Sequence, residues 1–215
     1  MEEISIPSEV SMKSLFCLLA AALFLGGCAP SSPPAASSVS APAAPSSPHV
    51  ISQKSEALWQ EALAAYGKWD KEKALRLCDE ALAADKDNYK ALSTKGIVTA
   101  FSGRPDEGAV LVKQALSMAP SYTAGYYDLA MALKLGKHYD EAAAAFRKVL
   151  EKDPKNTWSW YGIATICADR HDKKNALINL KKAIAIDPAP VKDAARTQDH
   201  FQWLHGDKDF EAMVR

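Results

Sequence analysis

Small and large side chains recur in this chain every 34 residues, four times over, without insertion or deletion. Ala62, Gly96, Ala130 and Ala164 stand 34 apart, and so do Ala74, Gly108, Ala142 and Ala176, and Leu82, Leu116, Leu150 and Ile184. Pro120, Pro154 and Pro188 close the last three units. A fixed period of this length constrains the chain to a stack of equal supersecondary units, each burying its faces against its neighbours. Such stacks present long binding surfaces rather than catalytic clefts.

Each unit reads as two helices joined by a short turn. In the third, Ala124 to Leu135 forms the first helix and Gly136-Lys137-His138 the turn. Tyr139-Asp140-Glu141 then opens a second helix that ends near Lys152. Gly136 stands where many helices end in the left-handed conformation. The two acids suit the positive end of the second helix dipole. Asp153-Pro154 stops that helix, because proline cannot continue it and restrains its predecessor. Met118-Ala119-Pro120 and Ile186-Asp187-Pro188 repeat the stop. Small residues at the eighth and twentieth positions let the two helices approach closely. Val112, Phe146 and Leu180 at position 24, with Tyr126 and Trp160 at position four, fill the layers between units. The expected fold is all-α: an α-α superhelix of four helix-turn-helix units (55–88, 89–122, 123–156 and 157–190) with capping helices over 191–215. Phe201, Trp203, Leu204, Phe210 and Met213 are available there to cover the open face of the last unit.

This spacing of small, bulky and proline positions over residues 55–190 resembles the tetratricopeptide repeat. The match is strong in units two to four. The first unit departs from it, with Lys86 where the family has proline, and its first helix admits a one-residue shift that places Trp59 and Tyr66 at bulky core positions. In that family the first helices line a concave groove. Carried onto this chain, the resemblance implies a groove of Trp59, Leu63 and Tyr66 beside Glu56, then Lys90, Ile97 and Phe101 beside Ser93. Tyr127, Asp128 and Met131 beside Lys134 follow, then Trp158 and Tyr161 beside Thr165 and Asp169. Aromatic groups supply contact area at low entropy cost, so this ladder suits a protein or peptide segment. Packing of the same side chains within the array is the competing role. The clamp with which chaperone-binding repeats hold a terminal carboxylate is absent, since its places carry Trp59, Leu63, Thr94, Ala124 and Asp128.

The amino terminus reads as an address. Met12-Lys13-Ser14 precedes an apolar run from Leu15 to Leu25, too short to span about 30 Å of hydrocarbon but suited to a signal peptide over residues 1–27. Leu25-Gly26-Gly27-Cys28 resembles a bacterial lipobox, which implies lipid attachment at Cys28. The acidic stretch before Met12 fits no signal, so Met12 is the expected start. Residues 29–50 are nearly all Ala, Ser and Pro; with Cys28 they make a disordered tether over 28–50 that reaches roughly 25 Å as a coil and roughly 68 Å fully extended. The expected location is the bacterial cell envelope. That means the periplasmic face of an outer membrane in a two-membrane cell, which Ala29 after the cysteine favours, and otherwise the outer face of the cytoplasmic membrane.

Charge excludes one class of partner. Removing residues 1–27 takes one Lys and three Glu from 26 basic and 26 acidic residues, leaving a dispersed net charge of +2 and no nucleic-acid footprint. Cys78 and Cys167 lie two units apart, too far for a disulfide, and are expected as small buried apolar groups. His138 and His171 fall in equivalent turns, and His200 and His205 are five apart, the wrong helical spacing for joint metal ligation. Asp85, Asp87 and Asn88 lack the glycine and distal glutamate of a calcium loop. No convergent acid–base or nucleophile set appears, so no enzyme, cofactor or metal is expected. The expected role is a membrane-anchored adaptor recruiting a protein partner for envelope assembly, secretion or pilus biogenesis. The alternative is an envelope protein that self-associates.

Overall fold

The computed structural model describes residues 49–215. The signal segment, Cys28 and all but the last two residues of the tether lie outside the described residues. Four helix pairs follow one another: α1 (Gln53–Gly67) with α2 (Lys71–Ala84), α3 (Tyr89–Phe101) with α4 (Pro105–Met118), α5 (Thr123–Leu135) with α6 (Tyr139–Lys152), and α7 (Thr157–Asp169) with α8 (Lys173–Ile186). After them come α9 (Pro188–Thr197), a 3-10 turn (Asp199–Leu204) and α10 (Lys208–Val214). Among the described residues there is no strand, and no helix is long and apolar enough to cross a membrane. The described chain is all-α, in a repeated helix-turn-helix arrangement.

Local chemistry starts and stops the helices. Side chains of Ser52, Asp70, Asn88, Asn156 and Asp172 accept from the first free amides of α1, α2, α3, α7 and α8. Proline at the first position serves α4, which has no side-chain cap. Asp153-Pro154 ends α6 at Lys152. Pro188 does more than stop α8: it is the first residue of α9, so the chain turns straight into the next helix.

The turn within each pair corrects one expectation. Gly136 is not left-handed; its φ is −77°. The left-handed residue is the next one, Lys137 at φ 60°, with Trp69 at 62°, Gly103 at 86° and His171 at 57° in the equivalent places. Only Gly103 takes this conformation without a Cβ penalty. In all four turns the following amide returns to the first helix, to Ala65, Thr99, Leu133 and Cys167 carbonyls, and that closure offsets the strain.

The small residues act where the period puts them. A Cβ on Gly96 would stand 2.7 Å from the Gly108 carbonyl oxygen, and one on Gly108 only 2.4 Å from the Gly96 oxygen, so α3 and α4 meet backbone to backbone. Between units, Phe146 fills the space above Gly162, whose added Cβ would fall 2.4 Å from the ring. The core runs on through the stack. One cluster joins α1–α3, a larger one α3–α7 about Val112, Leu133 and Phe146, and a third joins α7 and α8 to the tail. In the tail, Phe201, Leu204, Phe210 and Val214 are buried against unit four, while Trp203 stays 40% exposed and donates to the Ala168 carbonyl.

Candidate functional site

Successive first helices touch one another along the stack: α1 on α3, α3 on α5, α5 on α7. The second helices make no comparable contact with each other. The array therefore closes on the first-helix side, and that side is concave.

A ladder of hydrogen bonds runs along it. The fifth residue of one unit bonds the sixth of the next. Trp59 Nε1 donates to Thr94 Oγ1 at 2.9 Å, and Ser93 Oγ to Asp128 Oδ2 at 2.7 Å. Tyr127 and Gly162 hold the third rung's places, and glycine offers no side chain to bond. The tail supplies the last rung, with the Tyr161 hydroxyl donating to Gln198 Oε1 at 2.9 Å.

This packing decides which expected groove residues remain open. Trp59, Leu63, Lys90, Phe101, Tyr127, Asp128 and Met131 are half-buried on α1, α3 and α5. Ile97 is 4% exposed and belongs to the core between units one and two. Tyr66, 5% exposed, lies under Trp69 and Phe101, its ring centroid 5.8 Å from the first and 6.3 Å from the second. Trp158 and Tyr161, 9% and 5% exposed, meet edge to face and are closed over by Phe201 at 5.9 Å from Tyr161. These four are core residues rather than groove lining. The cause is the tail, which packs on unit four, and the aromatic turn residue Trp69, which covers unit one. The Trp158 indole N–H is buried with no acceptor among the described residues.

The inner charges are mostly paired. Lys90 bonds Glu56 at 2.9 Å and sits 4.7 Å over the Trp59 ring. At the far end Asp169 accepts from His200 Nδ1 at 2.6 Å, and His200 Nε2 faces Lys134 Nζ at 3.1 Å. The His200 ring thus bridges the Asp169 carboxylate and the Lys134 amine. Burial pushes the Lys134 ammonium down to about 8, against the pull of Asp169. Burial also lifts the Asp128 carboxyl to about 7, and the Ser93 hydrogen bond opposes that rise. Tyr66, Tyr122, Tyr127 and Tyr161 are all held above the ordinary phenol range, chiefly by burial.

Away from this face, Cys78 and Cys167 are free thiols, and burial takes the first up to about 12, where it is inert at neutral pH. His49, Asp85 and Asp87 bring potential ligand atoms within 4.8 Å of one another. Asp85 is already engaged, by His49 at 2.9 Å, the Ser52 amide at 2.8 Å and the Asp87 amide at 3.1 Å, so it anchors the start of α1.

Comparison with known proteins agrees with the geometry. Residues 102–156 and 132–189 each match a family model of the tetratricopeptide repeat. The fold is a tetratricopeptide-repeat solenoid. Among solved structures it is similar to MamA 41-end from Desulfovibrio magneticus RS-1, with 17% identity, TM-score 0.59, 77% of this chain and 92% of that one. It is also similar to YrrB, described as a TPR protein with an unusual peptide-binding site, with 23% identity, TM-score 0.55, and 66% and 74% of the two chains. The first TPR of Spaghetti (RPAP3) bound to the HSP90 peptide SRMEEVD aligns at 20% identity and TM-score 0.50, over 55% of this chain and 94% of that one.

Within the tetratricopeptide frame, sequence reasoning missed the rungs and the tail's part in the inner face. Thr94 read only as an empty clamp position, His200 as a histidine at the wrong spacing for metal, and Gln198 only as a residue within the 191–215 cap. The available signal was the 35-residue separation of polar pairs such as Ser93 and Asp128, one more than the period.

Proposed function

We propose that this protein is an adaptor that binds a segment of a partner protein along the inner face of units one to three. The observation that carries the reading is the open row of Trp59, Leu63, Phe101, Tyr127 and Met131 on α1, α3 and α5, half-buried beside charged and polar groups already fixed by hydrogen bonds. Rigid aromatic and aliphatic groups held in place before binding lose little entropy on contact. The peptide-binding site named for YrrB and the HSP90 peptide named for Spaghetti support the reading by analogy of fold. A lipid on Cys28 after removal of residues 1–27 would fix the adaptor to an envelope membrane, and the 28–50 tether would let it reach, in a role in secretion, pilus or envelope assembly.

Photocrosslinking in cells tests it. A crosslinker at Leu63 or Met131 on the inner face is compared with one at Arg76, exposed on α2. A distinct protein trapped from the inner positions alone supports the adaptor. Products from Arg76 alone would overturn it. Self-crosslinks would favour the second reading, self-association through the outer helices, where Val110 and Ile178 stand exposed at the same place in units two and four.

A further inference from the structure

Three carboxylates look into the inner face, and two have a basic side chain as partner. Glu56 has Lys90 at 2.9 Å. Asp169 has His200 at 2.6 Å, with Lys134 beyond it. Asp128 lies between them on α5 and, among the described residues, has no basic group within ion-pair distance. Among the described residues its hydrogen-bond donor is Ser93 Oγ of α3, at 2.7 Å from Oδ2. That bond orients the carboxylate and leaves Oδ1 without a donor among the described residues.

Three phenols lie within electrostatic reach of Asp128. Tyr66 of α1, Tyr122 ahead of α5 and Tyr127 of α5 all feel its charge, and no cation contributes to its titration. Burial without a counter-ion lifts its carboxyl to about 7. An unpaired, desolvated carboxylate weakens the fold that carries it. The same carboxylate gains most from a cation brought by a ligand, because the desolvation has already been met. A lysine or arginine can lay its aliphatic stem along aromatic walls while its charged head reaches the acid. An acidic segment would be repelled.

We propose that Asp128 is the anchor for a basic side chain, lysine or arginine, on the peptide segment that the inner face binds, an inference that rests on the groove reading above. Apolar residues on either side of that basic residue then fall on the half-open Trp59, Leu63 and Met131 rows.

A random twelve-residue peptide library displayed on phage is panned against the full-length chain and, in parallel, against Asp128→Asn, which keeps an acceptor for Ser93. Far-ultraviolet circular dichroism confirms that the variant is folded. The expected result is enrichment of lysine or arginine at one position with the wild type, lost with the variant. A selected peptide made synthetically should bind Asp128→Asn at least tenfold more weakly. Its affinity for the wild type should fall as pH drops below about 7 and the carboxylate takes a proton, a dependence missing in the variant. Peptides that compete at Leu63→Asp-sensitive sites but show no basic preference would overturn this proposal and leave the groove reading standing. A library yielding no binder would overturn both.

Discussion

Single atoms decide much in this fold. Asp128 has its carboxyl lifted from 3.8 to about 7 by burial, so the folded state holds a proton more tightly than the unfolded chain. The sign follows from linkage. Below about pH 4 both states are protonated and no penalty exists; between about 4 and 7 the unfolded chain ionises first and stability falls; above 7 the whole penalty is present. Asp128→Asn should therefore stabilise the protein at pH 8 by roughly 1–3 kcal/mol after allowance for partial solvent access, and by nothing at pH 4. Urea denaturation at the two pH values measures it, and a destabilised variant at pH 8 would contradict the assignment. Gly162 gives the opposite lesson. Its alanine variant pushes a methyl into the Phe146 ring at 2.4 Å, which should cost roughly 1–3 kcal/mol and lower the melting temperature in a thermal scan.

At the scale of elements, the helices were legible in the sequence because their punctuation is local. Asp and Asn caps, proline stops and small residues at positions eight and twenty act within a few residues of themselves. Gly136 misled for the same local reason, since a glycine near a helix end invites the left-handed assignment. The structure gives that conformation to Lys137, because the amide after it must reach back to Leu133. The tail was legible as a cap but not as a contributor to the inner face. Gln198 and His200 reach α7 and α5 through contacts 31 to 66 residues away in the chain, and no local pattern announces such a pairing. His200→Ala should free the 3-10 turn from Asp169 and Lys134. Limited trypsin digestion should then cut after Arg196 several-fold faster while α1–α6 stay intact; equal cleavage rates would show that Phe201 and Phe210 alone hold the tail.

The whole molecule behaves as a row of neighbours. Stability in such arrays is a sum of units and interfaces, and local opening follows the weakest of them. The core joining α3–α7 is larger than that joining α1–α3, which has Ala62, Tyr66, Cys78 and Ile97 at its centre. Amides of α5 and α6 should accordingly exchange with deuterium at least tenfold more slowly than those of α1 and α2. Uniform protection along the stack would mean that the units open only together.

The period by itself determined the architecture. Four copies of one helix pair bury their bulky positions only by stacking, and Ala62, Gly96, Ala130 and Ala164 leave no other way to bring each pair together. Which helix face becomes the inner one came from the resemblance to the tetratricopeptide repeat, not from the period itself. Only the tertiary structure decided which of those inner residues stay open. Tyr66, Ile97, Trp158 and Tyr161 are of the same chemical kinds as Leu63, Tyr127 and Met131, yet they are closed off by Trp69, by the neighbouring unit and by Phe201. Exposure depends on what lies across the gap, and the residues across it are distant in the chain. The isolation of Asp128 has the same origin: Lys90 on α3 is taken up by Glu56, and Lys134, on α5 itself, by His200 of the tail.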